Sequence, residues 1–370
     1  MNLRVAIVHD DFIQHGGAER LVLAMLEIWP QADLYGVMVT DQWQEEIKNK
    51  FGKEVRTSWL QKLPFKAKLF RQYYSLYPLA IESFRFNDYD LVVSSSARYA
   101  HGIITKPPTP HVAYVNSPAR FLWDDSLIPS NVFLKPVINW HCSWDRVASK
   151  RPDYVIANSK TPAERIEKYW GRKADAIIYP FVDLNRFTTI DSIGLDPLRG
   201  TNLQGSYLLV VSRLNRWKNV DLAIQACNDL ELPLVVVGQG EDEGRLKSLA
   251  GSTISFTGEV ADEDLVHLYK NCRSLIQTQE EDFGITALEA QAVGKPVIAL
   301  GKGGALETIQ AGVTGVYFTE PTPQSLKQVL AQFDERKYLR ENCQRQAEKF
   351  GKERFQSDLK NFITNVLLTG

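Results

Sequence analysis

The sequence predicts an α/β protein of two doubly wound domains, each with a parallel sheet, on three observations. Its 370 residues suit two domains, at about 150 residues each. Short, nearly continuous apolar runs recur at helical spacings along the whole chain, the pattern of parallel strands covered on both faces. Periodicity breaks between Pro180 and Ser206, where Asp183, Asn185, Thr188, Asp191, Gly194, Pro197, Gly200 and Asn202 read as a linker. The apolar share of 44% and charged share of 24% exclude a disordered chain, a collagen and a long coiled coil.

In chain order, Leu3–Val8, Leu34–Val39, Leu91–Val93, His111–Val115, Tyr154–Ala157 and Ala176–Tyr179 are expected as the strands of the first domain. Tyr207–Val211, Leu234–Val237, Ile254–Phe256, Leu275–Gln277, Val297–Leu300 and Val316–Phe318 are expected as those of the second. The ending returns to helical spacing through Phe355, Leu359, Phe362 and Val366, so a last helix is expected to pack back across the junction. The domains are therefore drawn as 1–185 with the returning helix 352–370, and 186–351.

Forty-three Lys and Arg against 44 Asp and Glu leave a net charge of -1, so no global field gathers nucleic acid and any basic function is local. Cys142, Cys227, Cys272 and Cys343 lie far apart, with no paired spacing for a zinc site or a disulfide framework, which fits a reducing cytoplasm. His9-Asp10-Asp11 comes too early for the apolar core of a signal peptide, and no run reaches the roughly 18 apolar residues of a membrane span. Residues 53–77 depart from this balance. Lys53, Arg56, Lys62, Lys66, Lys68 and Arg71 face Glu54 alone and alternate with Trp59, Phe65, Phe70, Tyr73, Tyr74 and Tyr77. Such a stretch suits an anionic membrane surface, at about 1 kcal/mol per cation. A solvated helical hairpin with its aromatics turned to the core explains it equally.

Four segments could carry chemistry. Gly16-Gly17 sits between the first strand and a helix begun by Leu21, Val22, Met25 and Leu26, where a phosphate can approach backbone amides; a tight turn gives the same pattern. Gly238-Gln239-Gly240 follows a strand, but its third glycine, Gly244, comes one position late for a dinucleotide fingerprint, so a plain strand-turn-helix is expected. Arg213 and Lys218 follow Val211 at what would be the carboxyl edge of the second sheet, where ligands collect. Glu281 and Glu289 stand eight positions apart around Phe283, Gly284 and Ile285. A helical path would separate the two carboxylates by about 12 Å, beyond the pair distance of a glycosidase, so they suit two ends of an elongated ligand such as a nucleoside diphosphate; taken alone, a helix with a solvated acidic face explains the cluster better.

Gly16-Gly17-Ala18-Glu19, Arg213 with Lys218, Gly238-Gln239-Gly240, the Glu281 to Glu289 motif and Gly303-Gly304-Ala305-Leu306-Glu307 occur in the order found in the retaining glycosyltransferases of family 4. The chain resembles that family, whose two Rossmann-like domains face a cleft in the architecture called GT-B, over nearly its whole length. Leu60–Pro64, Leu76–Ala80 and Tyr114–Asp124 resemble bacterial mannosyltransferases of O-antigen and exopolysaccharide assembly.

The resemblance implies transfer of a sugar, in the first reading mannose from GDP-mannose, to a hydroxyl of a glycan or lipid-linked acceptor, with retained configuration and no metal or other cofactor. Arg213 and Lys218 would bind the diphosphate, Glu281 the transferred sugar and Glu289 the ribose. Phe283, Gly284 and Ile285 would add backbone contacts, Val260 would meet the nucleobase, and Gly16 and Gly17 would close over the diphosphate. Related subgroup members carry histidines where this chain has Ala97 and Asn116; His101 is the remaining candidate on the acceptor side. A cytoplasmic protein, peripheral on the inner face of the plasma membrane, is expected. UDP-sugar transfer, nucleotide-sugar epimerisation, a silent binding protein and a phosphorylase are the alternatives.

Overall fold

The computed structural model of the chain describes residues 3–14, 16–65, 69–70, 72–124, 134–189 and 207–369. The chain divides into two compact units, Met1–Tyr179 with Phe355–Gly370, and Pro180–Arg354. The first holds β1 (Val5–His9), β2 (Asp33–Gly36), β3 (Val55–Thr57), β4 (Leu91–Ser96), β5 (His111–Val115), β6 (Tyr154–Ala157) and β7 (Ala176–Ile177). They pair in parallel in the order β3-β2-β1-β4-β5-β6-β7. The second holds β8 (Leu208–Val211), β9 (Leu234–Val237), β10 (Ile254–Gly258), β11 (Ser274–Gln277), β12 (Val297–Leu300) and β13 (Gly315–Phe318). Its parallel order is β10-β9-β8-β11-β12-β13.

Both sheets are buried by helices, which is why their strands read as apolar runs rather than alternating ones. Every residue of β1, β4, β5, β9, β11 and β12 is buried. All twelve expected strands are present; β3, which lies within the basic aromatic stretch, is an additional one. Its three residues carry Arg56 and Thr57 on a sheet edge, too short and too polar to stand out as a run.

Each sheet reverses its winding next to its first strand, between β1 and β4 and between β8 and β11. At such a switch point the loops leaving the carboxyl ends diverge and open a crevice for a ligand. The loops after β8 and β11 are the ones that carry Arg213, Lys218 and Glu281.

The unit boundary falls at Tyr179/Pro180 rather than after 185, because Val182 donates to the Phe350 carbonyl and Arg186 reaches Glu289 and Asp262, all in the second unit. Most of the expected linker, 190–206, lies outside the described residues. The last helix, Lys352–Thr369, starts in the second unit and returns to the first. Phe355 packs on Tyr114 of β5 and Phe362 on Tyr154 of β6, while Gln356 donates to the Ala24 carbonyl and to Glu27. The buried stripe of this helix runs through Phe355, Leu359, Ile363 and Val366, with Phe362 at its margin.

Among its described residues, the basic aromatic stretch contains β3 and two 3-10 turns, Trp59–Lys62 and Gln72–Leu76. Phe70 and Tyr77 are buried and Tyr73 and Tyr74 pack against the same core, whereas Trp59 and Phe65 are exposed. Arg56 is committed to Asp33 and the hydroxyls of Tyr35 and Tyr89. Lys66, Lys68 and Arg71 lie outside the described residues.

Candidate functional site

The crevice of the second unit is built from two loops. The one after β8 runs from Ser212 to Asn219 and ends in a 3-10 turn, Arg216–Lys218. Arg213 is exposed there, with no side-chain partner among the described residues. Lys218 turns inward: its Nζ lies 2.5 Å from Glu281 Oε1 and 4.2 Å above the Trp217 ring. The loop after β11 is fastened to this turn by Thr278, whose Oγ1 donates to the Lys218 carbonyl at 2.7 Å. Gln279 also donates to Glu281 Oε1. The expected diphosphate lysine and the expected sugar carboxylate therefore meet directly.

Glycines allow these loops to touch. A Cβ on Gly238, whose φ is +122°, would stand 2.0 Å from the Ser212 carbonyl oxygen, and one on Gly240 would stand 2.2 Å from that of Leu214. The Gly238-Gln239-Gly240 turn thus serves as the seat of the Arg213 loop. Gly303 and Gly304 do the same for the segment 281–283: Cβ atoms there would stand 2.4 Å from the Glu281 carbonyl oxygen and 2.3 Å from Phe283. The Gly304 amide donates to that Glu281 carbonyl at 2.8 Å.

The helix of the Glu281 to Glu289 motif begins only at Ile285, with Gly284 as its N-cap at φ +87°. Glu281 lies before it in the loop, so the helical path assumed for the carboxylate spacing does not apply. Phe283 is buried against Phe350 and directs the loop backbone, while Gly284, Ile285 and Thr286 are half-buried at the helix N-terminus, where free amides favour anions. Val260, also half-buried, follows the glycine end of β10. Glu289 is only 7% exposed. Tyr269 donates to its Oε2 at 2.8 Å and Arg186 to its Oε1 at 3.5 Å. Burial, with Glu289 beside it, holds the Tyr269 phenol well above its ordinary pKa, so it remains a donor.

At the first unit's crevice, Gly16 caps the helix Gly17–Ile28 in an extended conformation, and buried Glu19 sits 3.7 Å from His9. Burial alone would lower the His9 pKa, but Glu19, Asp10 and Asp11 raise it on balance. Asp10 accepts four backbone amides of the loop after β4, from Ala97, Arg98, Tyr99 and Ala100, at 2.7–3.0 Å. Asp11 takes Arg98 Nη2 at 2.6 Å and the Tyr77 hydroxyl at 2.7 Å, and Arg98 lies over the Tyr74 ring.

This Asp10 clamp turns the chain inward and carries His101 into the core, contrary to the expectation that it reaches the ligand edge. His101 has no exposed surface. Its ring contacts Ser96 Oγ at 3.1 Å and Asp145 Oδ1 at 3.2 Å and lies 4.5 Å from the Trp170 ring. Asp145, equally buried, also accepts the indoles of Trp123 and Trp170. Ser96, His101 and Asp145 thus lie side by side, with all three wholly or almost wholly buried. Asn116 donates to Ser95 Oγ at 3.2 Å.

Two family profiles match consecutive parts of the chain: Glycosyltransferase Family 4 over residues 15–186 and Glycosyl transferases group 1 over residues 199–350. The chain belongs to the glycosyltransferases of family 4. It is 32% identical to an uncharacterized glycosyltransferase of Methanocaldococcus jannaschii over 220 residues, 56% of this chain and 55% of that one. It is 26% identical to the human alpha-1,3/1,6-mannosyltransferase ALG2 over 288 residues, 62% of this chain and 68% of that one. The chain thus spans about half the archaeal relative's length. Anabaena HepE, crystallised in complex with UDP, superposes with a TM-score of 0.73 at 18% identity, covering 98% of this chain and all of its own, and shows the shared GT-B fold.

Sequence reasoning about this family 4 glycosyltransferase missed Asp10, Arg186 and Tyr269. Asp10 had a signal, an acidic pair at the end of a strand, but its partners are amides some 90 positions away. Arg186 lies in what reads as linker, and Tyr269 belongs to no motif that singles it out.

Proposed function

We propose that this protein is a retaining, metal-independent hexosyltransferase that moves a sugar from a nucleoside-diphosphate donor to a hydroxyl of a glycan or lipid-linked acceptor in cell-surface polysaccharide synthesis. The observation that carries the reading is the meeting of Lys218 and Glu281 at the switch point of the second sheet, with exposed Arg213 on the same loop as Lys218. Charge builds on the leaving diphosphate as the sugar bond breaks. Arg213, Lys218 and the amides at Gly284 supply positive potential there. Lys218 has three donor hydrogens and can hold Glu281 while binding phosphate. The leaving phosphate then helps accept the acceptor's proton on the same face of the sugar.

Mannose from GDP-mannose remains the first reading, supported by the likeness to ALG2; capture of HepE with UDP supports a UDP-sugar. Thermal unfolding with GDP, UDP and their sugars separates them, because only a ligand bound by the native state raises the transition. Transfer from the protecting donor should proceed undiminished in EDTA and give the donor's anomeric configuration by NMR. Loss of activity in EDTA, or an inverted product, would overturn the proposed mechanism. Conversion of donor without acceptor would instead mark an epimerase.

No helix among the described residues is long and apolar enough to cross a membrane. We place the protein in the cytoplasm, docked peripherally on anionic lipid through residues 53–77, a reading supported by the exposed rings of Trp59 and Phe65, with exposed Lys62 between them in the sequence. Sedimentation with phosphatidylglycerol vesicles should then fall as salt rises and on replacing Trp59 and Phe65 by serine. Equal sedimentation with neutral phosphatidylcholine vesicles counts against it.

A further inference from the structure

Arg186 ties together the two places assigned above to the nucleoside, and the inference drawn here rests on that assignment. It stands on the short helix Leu184–Thr189, six residues past the start of the second unit. One arm of its guanidinium reaches Glu289 Oε1 at 3.5 Å; the other reaches Asp262 Oδ1 at 2.6 Å. Asp262 opens the helix Asp262–Asn271, two residues beyond Val260, and the same helix carries Tyr269, the second donor to Glu289. Phe187 packs edge-on against Tyr269, 6.1 Å between centroids, and so anchors the short helix that carries Arg186.

We infer that Arg186 is a positioning residue for nucleoside recognition, holding the Glu289 carboxylate in the orientation that reads the ribose hydroxyls and locking it in register with the nucleobase loop. Three features carry this beyond a plain ion pair. The side chain is 10% exposed and spans two carboxylates on different elements, both at the carboxyl edge of the sheet. Its Nε is buried without a partner among the described residues, a donor left unsatisfied so that the fork can face both acids. And the planar fork and the buried phenol each engage a different oxygen of Glu289, so the carboxylate is held at both ends. A lysine carries a single point of charge and cannot span the same two acids with fixed geometry.

The experiment compares binding of GDP and UDP with their 2′-deoxy forms by calorimetry on the full chain, in the wild type and in Arg186→Ala, Arg186→Lys, Tyr269→Phe and Glu289→Gln. The wild type should prefer the ribose form of whichever base it binds by about tenfold, the value of a charge-assisted hydrogen bond. Arg186→Ala should reduce that preference to about twofold or less and Arg186→Lys should restore only part of it, with melting curves showing each variant folded. Arg186→Lys and Tyr269→Phe carry the test should the alanine variant not fold. A wild-type preference retained in the folded Arg186 variants, while Glu289→Gln abolishes it, overturns the role of Arg186 alone. No ribose preference in the wild type overturns the nucleoside assignment and this inference together.

Discussion

Arg213→Ala is expected to slow sugar transfer by about 10²–10³-fold, the typical cost of losing one preorganised group that stabilises transition-state charge. Its melting temperature should stay at the wild-type value, because the exposed guanidinium has no side-chain partner among the described residues to lose. Lys218→Ala should cost a similar factor, but with a signature in stability as well. It leaves Glu281, paired at 2.5 Å in the folded protein, without its lysine. Steady-state transfer kinetics and calorimetry on the two variants check both statements. Near-normal turnover in either variant removes that residue from the diphosphate site. The pairing also predicts that Glu281→Gln affects turnover more than donor-diphosphate affinity, since Lys218 remains free to bind phosphate.

Asp10→Ala is expected to be the most destabilising single substitution at the first unit's crevice. Four amides of the loop after β4 lose their acceptor at once. A buried amide without a partner costs about 1–3 kcal/mol; with the Tyr99 and Ala100 amides buried and water reaching the half-buried ones of Ala97 and Arg98, the loss should be about 3–5 kcal/mol in denaturant unfolding. A loss under 1 kcal/mol would mean that the loop holds its shape without the clamp. Burial alone would raise the Asp10 pKa; the charges of Arg98 and His9 and the amides of Ala97 and Tyr99 more than offset it, and the carboxyl is held below its ordinary value. With the folded pKa depressed, the stabilisation is full above the unfolded value near 4 and is lost as pH falls through the folded one. Asp10→Asn should therefore flatten the acid limb of stability below about pH 4.

The outcome at His101 shows where sequence reasoning reaches its limit. A histidine five positions beyond a strand end is a fair candidate for the ligand edge. Its direction depends on Asp10, 91 positions earlier, capturing the amides between them, and on Asp145 waiting in the core. Neither contact has a local pattern. Arg186 is similar: its role comes from Asp262 and Glu289, brought to it by two separate helices. In the basic aromatic stretch, composition could not separate Tyr77, wholly buried, from Phe65, which is 72% exposed, because ring and charge alternate without a clear period.

The α/β class, two sheets of parallel strands, the returning last helix and the segments that make up the second unit's crevice can all be read from residue order. Buried parallel strands must be apolar on both faces, and loops that pack backbone on backbone must use glycine, so both features are written locally. Which side chains meet emerges only once the chain has folded: Lys218 with Glu281, Arg186 with Glu289 and Asp262, Asp10 with four amides, and His101 with Ser96 and Asp145 in the core. Apart from Ser96 with His101, each of these is a polar contact between residues distant in the chain. Its strength depends on distance and burial, which residue order does not encode until the sheets have formed.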